Sequence, residues 1–97
     1  MKFISPIELS EKLRDKEDIQ LIDVRESYEF EDGSIGGINI PLDEMMTSVD
    51  RISTSKDVII YCRSGNRSAA IIYMLEKKLK LNNLYNLERG YTAYLEL

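Results

Sequence analysis

The sequence predicts an α/β fold: a mostly parallel central sheet of about four to five short strands, flanked by helices on both faces. Two observations carry this expectation. Segments of strand character alternate with segments of helical character along the whole chain. The two strongest strands, Ile19 to Val24 and Asp57 to Cys62, are near-continuously apolar, as strands covered on both sides are.

The first helix is announced by Ser5-Pro6-Ile7-Glu8. Ser5 is an N-cap, Pro6 has its φ preset for the first helical position, and Glu8 completes a capping box. Ile7, Leu9 and Leu13 are expected on its inner face, before the charged exit Arg14-Asp15-Lys16-Glu17-Asp18. Ile19 to Val24 follows as a strand, and Glu26 to Phe30 as a short helical turn. Gly33, Gly36 and Gly37 fall within five residues, which marks backbone that turns sharply or approaches another segment closely. Leu42, Met45, Met46 and Val49 recur at spacings of three and four and predict a helix over 42–49 that packs them into the core.

Asp57-Val58-Ile59-Ile60-Tyr61-Cys62 is the strongest strand. A turn over 63–67 leads into a helix expected from about Ser68 to Lys80. Ala69, Ala70, Ile71, Ile72, Tyr73, Leu75 and Leu79 make that helix apolar over a wide arc, so it is expected to be well buried. Leu84-Tyr85-Asn86-Leu87 reads as another short strand. Gly90 to Leu97 reads as a last helix, with Tyr91, Tyr94 and Leu95 turned inward.

Composition narrows the chemistry. Ninety-seven residues suit one domain over 1–97. A net charge of −4, from 17 acidic and 13 basic residues, argues against nucleic acid, whose binding needs clustered Lys and Arg. A lone cysteine forms no internal disulfide. The chain has no histidine, which removes Cys-His and Ser-His-Asp catalysis and leaves no credible zinc ligand set. The N-terminus lacks the apolar region of a signal peptide, and no run approaches the roughly 18 apolar residues that cross a membrane. The expectation is a cytoplasmic monomer with no metal, no cofactor and no membrane partner.

In parallel sheets the ligand site lies outside the carboxyl ends of the strands, and Cys62 stands at such an end. Gly65 permits the backbone geometry of an anion-binding ring of N–H groups. Arg63 and Arg67 flank the turn, and the next helix presents its positive end there. All of these favour the thiolate, which such surroundings bring from a pKa of about 8.5 down to about 3.5–7.5. No histidine base is needed.

Cys62-Arg63-Ser64-Gly65-Asn66-Arg67-Ser68 after an apolar strand resembles the active-site loop of rhodanese domains. Leu21-Ile22-Asp23-Val24-Arg25-Glu26 is similar to that family's first motif, and Gly33-Ser34-Ile35-Gly36-Gly37-Ile38-Asn39-Ile40-Pro41 to its second. Leu87-Glu88-Arg89-Gly90-Tyr91 falls where the family has a glycine-containing turn before its last helix. The likeness covers essentially all 97 residues. It implies a sulfurtransferase in which Cys62 takes sulfane sulfur from a small anionic donor, such as thiosulfate or a persulfide. The Cys62 persulfide, cradled by N–H groups of residues 63–67, then passes its sulfur to cyanide, a thiol or a protein acceptor. Arg63 binds the anionic donor and Arg67 closes the loop, with Ser64, Gly65 and Asn66 completing it. Asp23 and Arg25 hold structure around the site. Two departures stand out: Ser34 replaces a histidine common in relatives, and Arg89-Gly90 replaces a glycine pair.

Three rivals remain open at this level. Cysteine phosphatases place five residues between cysteine and arginine, whereas Cys62 and Arg67 enclose four. A non-catalytic module that binds or regulates a partner commonly lacks the cysteine, which is present here. A plain redox thiol would lack the resolving cysteine of a Cys-x-x-Cys motif.

Overall fold

The parallel sheet comes from a chain that lays down each strand and crosses over before laying the next. The computed structural model describes residues 1–97. Its elements are β1 (Lys2–Ile4), α1 (Pro6–Arg14), β2 (Gln20–Asp23), α2 (Ser27–Asp32), β3 (Ile38–Asn39), two 3-10 segments (Leu42–Thr47 and Val49–Arg51), β4 (Val58–Tyr61), α3 (Asn66–Leu79), β5 (Leu84–Leu87) and α4 (Gly90–Leu95). The strand order is β1-β5-β4-β2-β3, and every pairing is parallel. The sheet therefore has the expected class and upper strand count.

Alternation along the central strands divides the core in two. Val58 and Ile60 of β4 join Ile22, Ile71, Ile72 and Leu75 on the side of α3 and the 3-10 segments. Ile59 and Tyr61 join Leu9, Leu21 and Leu87 on the side of α1 and α4. β4 is buried at all four positions, which accounts for its unbroken apolar sequence. The helix after β4 and the helix after β5 thus cover opposite faces, and the crevice between those two strand ends is the switch point of the sheet.

The capping box at the start of α1 forms as the sequence predicts: the Glu8 N–H donates to Ser5 Oγ at 3.1 Å and the Ser5 N–H donates to Glu8 Oε1 at 3.0 Å. Other expectations are corrected. Ile7 is exposed while Leu9 is fully buried, because a helix on one sheet face has a single inward stripe. For the same reason α3 buries only Ser68, Ile71, Ile72 and Leu75, and Tyr73 and Leu79 are exposed rather than part of a wide apolar arc. Leu95 is likewise exposed, and Ala93 takes the buried place in α4. The stretch over 42–49 is 3-10 rather than α-helix; the three-residue spacings Leu42 to Met45 and Met46 to Val49 suit its three-residue turn. The edge strands β1 and β3 have no clear signal in the sequence, since they are three and two residues long.

Gly37 shows why the glycine segment is needed. Its φ is +81°, and a Cβ there would stand 2.2 Å from the Leu21 carbonyl oxygen. Only a residue without a Cβ lets the chain pass that close and bring β3 beside β2. Gly36 has φ +115° with open space around it, so it carries the conformational demand alone. In urea titrations, Gly36→Ala should cost about 1 kcal/mol of stability and Gly37→Ala at least about 2 kcal/mol, the difference being the backbone collision. Equal losses would mean that the approach to Leu21 does not constrain the fold.

Candidate active site

Continuing the β4 alternation by one residue turns Cys62 toward α3, and its side chain is fully buried in the cluster on that face. The chain then turns at Gly65, whose φ of +98° makes it the N-cap of α3. That left-handed residue starts the helix at Asn66, two residues before the sequence-based boundary.

The orientation of the loop peptides is fixed from outside. The Tyr91 N–H donates to the Cys62 carbonyl at 2.8 Å and the Thr92 N–H donates to the Arg63 carbonyl at 3.0 Å. A trans peptide points its N–H opposite to its C=O, so tying these carbonyls toward α4 turns the Ser64 N–H toward the sulfur. Gly90 makes the tie possible. Its φ is +63°, and a Cβ there would lie 2.5 Å from the Cys62 carbonyl oxygen.

Inside the loop the Gly65 N–H donates to Cys62 Sγ at 3.1 Å and the Ser68 N–H at 3.4 Å. Ser68 Oγ is 3.3 Å from the sulfur. Burial pushes the thiol pKa up, but bonds from the Ser68 hydroxyl and from the Ser68, Gly65 and Ser64 N–H groups outweigh it and leave the thiol below its ordinary value. The sulfur's hydrogen bonds thus come from Gly65 and from Ser68, the latter one residue beyond the expected 63–67 ring. Donors aimed at the sulfur in this way favour its anionic form.

The flanking arginines do different things. Arg67 makes a two-pronged ion pair with Glu29 at 3.0 and 3.3 Å, so it joins the loop to α2 rather than bonding loop carbonyls. Arg63 is exposed and lies on the rim of a cavity of about 570 Å³, shared with Arg25, Tyr28, Glu29 and Tyr91. Cys62 does not line that cavity; it lies beneath the loop beside it. Ser64 and Asn66 are exposed on the loop's outer side.

Asp23 and Arg25 form a buried pair, with Arg25 Nη2 2.8 Å from Asp23 Oδ2. Arg25 also donates to the Gly33 carbonyl at 2.7 Å and stacks over the Tyr91 ring at 4.3 Å. Burial disfavours its charge, but the Asp23 bond and charge more than offset this and raise its pKa. The pair locks the end of β2 to α4. Ser34 Oγ accepts from the Gly36 N–H at 3.2 Å, a local turn bond in place of any histidine contact. Arg89 is exposed, with φ +57°, and lines a depression with Ser5 and Ile7; it makes no hydrogen bond to Cys62.

Sequence reasoning assigned no role to Asn86 and Glu29 of this neighbourhood, and it quoted Ser68 and Gly90 only as members of motifs. Asn86 accepts from Ser68 Oγ at 2.6 Å and is itself buried. Its signal was present, a polar side chain in the otherwise apolar Leu84–Leu87 strand. Glu29 had none, because its partner lies 38 residues away.

Comparison with known proteins follows the same lines. A family model described as Rhodanese-like domain matches residues 5–97. The chain is 42% identical over 76 residues to the uncharacterized protein YqhL of Bacillus subtilis, covering 77% of this chain and 60% of YqhL. It is 34% identical over 88 residues to a sulfurtransferase of Allochromatium vinosum, covering 89% of this chain and 80% of that protein. Among solved structures, a rhodanese-related protein from Thermoplasma volcanium superposes with a TM-score of 0.87 at 32% identity, covering 99% of this chain and 92% of that one.

The Glu29–Arg67 pair makes a pH prediction. The Arg67 bond, acting against burial, lowers the Glu29 carboxyl from its ordinary 4.5. A group depressed by folding stabilises the protein above its unfolded pKa and loses that contribution as pH falls through the folded one. Between about pH 5 and pH 3, wild type should therefore lose more stability than Glu29→Gln, by about 0.5–1 kcal/mol after allowing for the partial exposure of Arg67. Parallel stability curves from urea titration would refute the coupling.

Proposed function

This chain belongs to the rhodanese-like family, and from that premise we propose that it is a sulfurtransferase that carries sulfur as a persulfide on Cys62. The observation that carries the reading is the set of donors from the Gly65 N–H, the Ser68 N–H and the Ser68 hydroxyl on a buried thiol, in a chain with no histidine to serve as base. Those donors hold anionic sulfur directly. The relative named a sulfurtransferase supports the same class of reaction.

The reaction has two displacements. The Cys62 thiolate attacks the outer sulfur of thiosulfate; the S–S bond of the donor breaks and sulfite leaves with its electron pair. A persulfide donor reacts in the same way and releases a thiolate. Cys62 then bears a terminal sulfur with the negative charge. Cyanide, a thiol or a protein acceptor attacks that terminal sulfur, the new S–S bond breaks, and the Cys62 thiolate returns. Arg63 on the cavity rim attracts the anionic donor, and Arg67 holds the loop against α2. Asp23 and Arg25 support the site without touching the reacting atoms. Because Cys62 is fully buried, the exposed Arg63, Ser64 and Asn66 must shift outward for a donor to reach the sulfur.

The four-residue interval from Cys62 to Arg67 suits one sulfur atom better than a tetrahedral phosphate. The reading takes the domain as one unit over 1–97.

Intact-mass measurement tests this. Incubation with thiosulfate, or with a persulfide donor, should add one sulfur atom to the wild-type protein. Cyanide or a thiol should remove it, and Cys62→Ser should gain none. No sulfur gain from either donor would overturn the assignment, and persistent transfer in Cys62→Ser would move the chemistry to another residue.

A further inference from the structure

Ser68 has one hydroxyl proton and three acceptors. Its Oγ lies 2.6 Å from Asn86 Oδ1, 3.2 Å from the Gly65 carbonyl and 3.3 Å from Cys62 Sγ. Asn86 Nδ2 donates to the same Gly65 carbonyl at 3.1 Å. That bond fixes the amide so that Oδ1, an acceptor only, faces Ser68. Ser68 and Asn86 are both buried, so water does not relieve the competition. When the sulfur is a thiol, every group is satisfied: S–H donates to Ser68 Oγ and the Ser68 O–H donates to Asn86. When the sulfur is a thiolate, the hydroxyl is needed by Sγ, and turning it there leaves Asn86 Oδ1 without a donor.

We propose that Asn86 is a positioning residue that competes with Cys62 for the Ser68 proton, so that the hydroxyl turns between the two as the charge on Sγ appears and disappears. No covalent step is involved; the thiol proton leaves to water and the hydroxyl rotates. This rests on the sulfurtransferase reading and deepens it. Once Cys62 carries a second sulfur, the charge sits on the outer atom, Sγ no longer needs the hydroxyl, and Ser68 returns to Asn86. Asn86 therefore favours the sulfur-loaded state over the bare thiolate.

The charged groups around the sulfur are Arg63 in the loop, Arg67 on α3 with Glu29 on α2, and the Asp23–Arg25 pair at the end of β2; Arg89, at the turn behind Gly65, approaches the loop only by its backbone. None is altered by the test.

Cys62 is the sole cysteine, so thiolate absorbance near about 240 nm reads its ionisation alone below the range where tyrosines titrate. Ser68→Ala should raise the titration midpoint by about one pH unit. Asn86→Leu should lower it by about half to one unit, because the hydroxyl is freed for the thiolate. In the Ser68→Ala background, Asn86→Leu should produce no shift. An unchanged or raised midpoint in Asn86→Leu, or an equal shift with and without Ser68, overturns the proposal. Should Asn86→Leu not fold, Asn86→Asp retains the volume and acceptor; it should raise the midpoint, more with Ser68 present than in Ser68→Ala, and a fall or no change overturns the proposal. The titration uses no sulfur donor, so its failure is distinguishable from failure of the transfer assay.

Discussion

The site depends on which way two peptide groups face. The Cys62 and Arg63 carbonyls are bound from outside by the Tyr91 and Thr92 N–H groups, and planarity then aims the Ser64 N–H at the sulfur. Gly90 permits that arrangement because its missing Cβ leaves room for the Cys62 carbonyl. The last helix is thus part of the site, although none of its side chains bonds to the sulfur. Its role is to orient the loop.

Given that orientation, the electrostatics need little else. The thiol is buried, which opposes charge, yet its backbone and hydroxyl donors prevail. Fixed backbone dipoles in a dry setting act more strongly than the same groups in water and need no rearrangement when charge appears, whereas the Ser68 hydroxyl has to turn to meet it. Arg67 acts at longer range, through the ion pair that clamps α3 to α2. The buried Asp23–Arg25 pair performs a similar task at the neighbouring strand end, where Arg25 reaches both the Gly33 carbonyl and the Tyr91 ring. Two ion pairs therefore position the walls around one neutral ring of donors.

Much of this was legible in local sequence because local physics decides it. Two near-continuously apolar strands pointed to the covered parallel sheet, and Ser5-Pro6-Ile7-Glu8 to the capping box. The strand–cysteine–glycine–helix order put Cys62 at a sheet end. Burial was less legible. Tyr73 and Leu79 read as core, yet α3 faces only one side of the sheet, and periodicity alone does not say how wide its buried stripe is. The edge strands escaped notice because two or three residues have no period to read.

The sequence by itself singled out Cys62, because it is the one thiol of a chain with no histidine and it ends an apolar strand before a glycine turn. It also set the loop length, since Cys62, Gly65 and Arg67 are neighbours along the chain. Only the tertiary structure decided which groups face the sulfur and which face away. Glu29 meets Arg67 across 38 residues, Asn86 meets Ser68 across 18, and Tyr91 meets Cys62 only because β5 lies beside β4. Such pairings depend on strand order and crossover, and no local pattern encodes them.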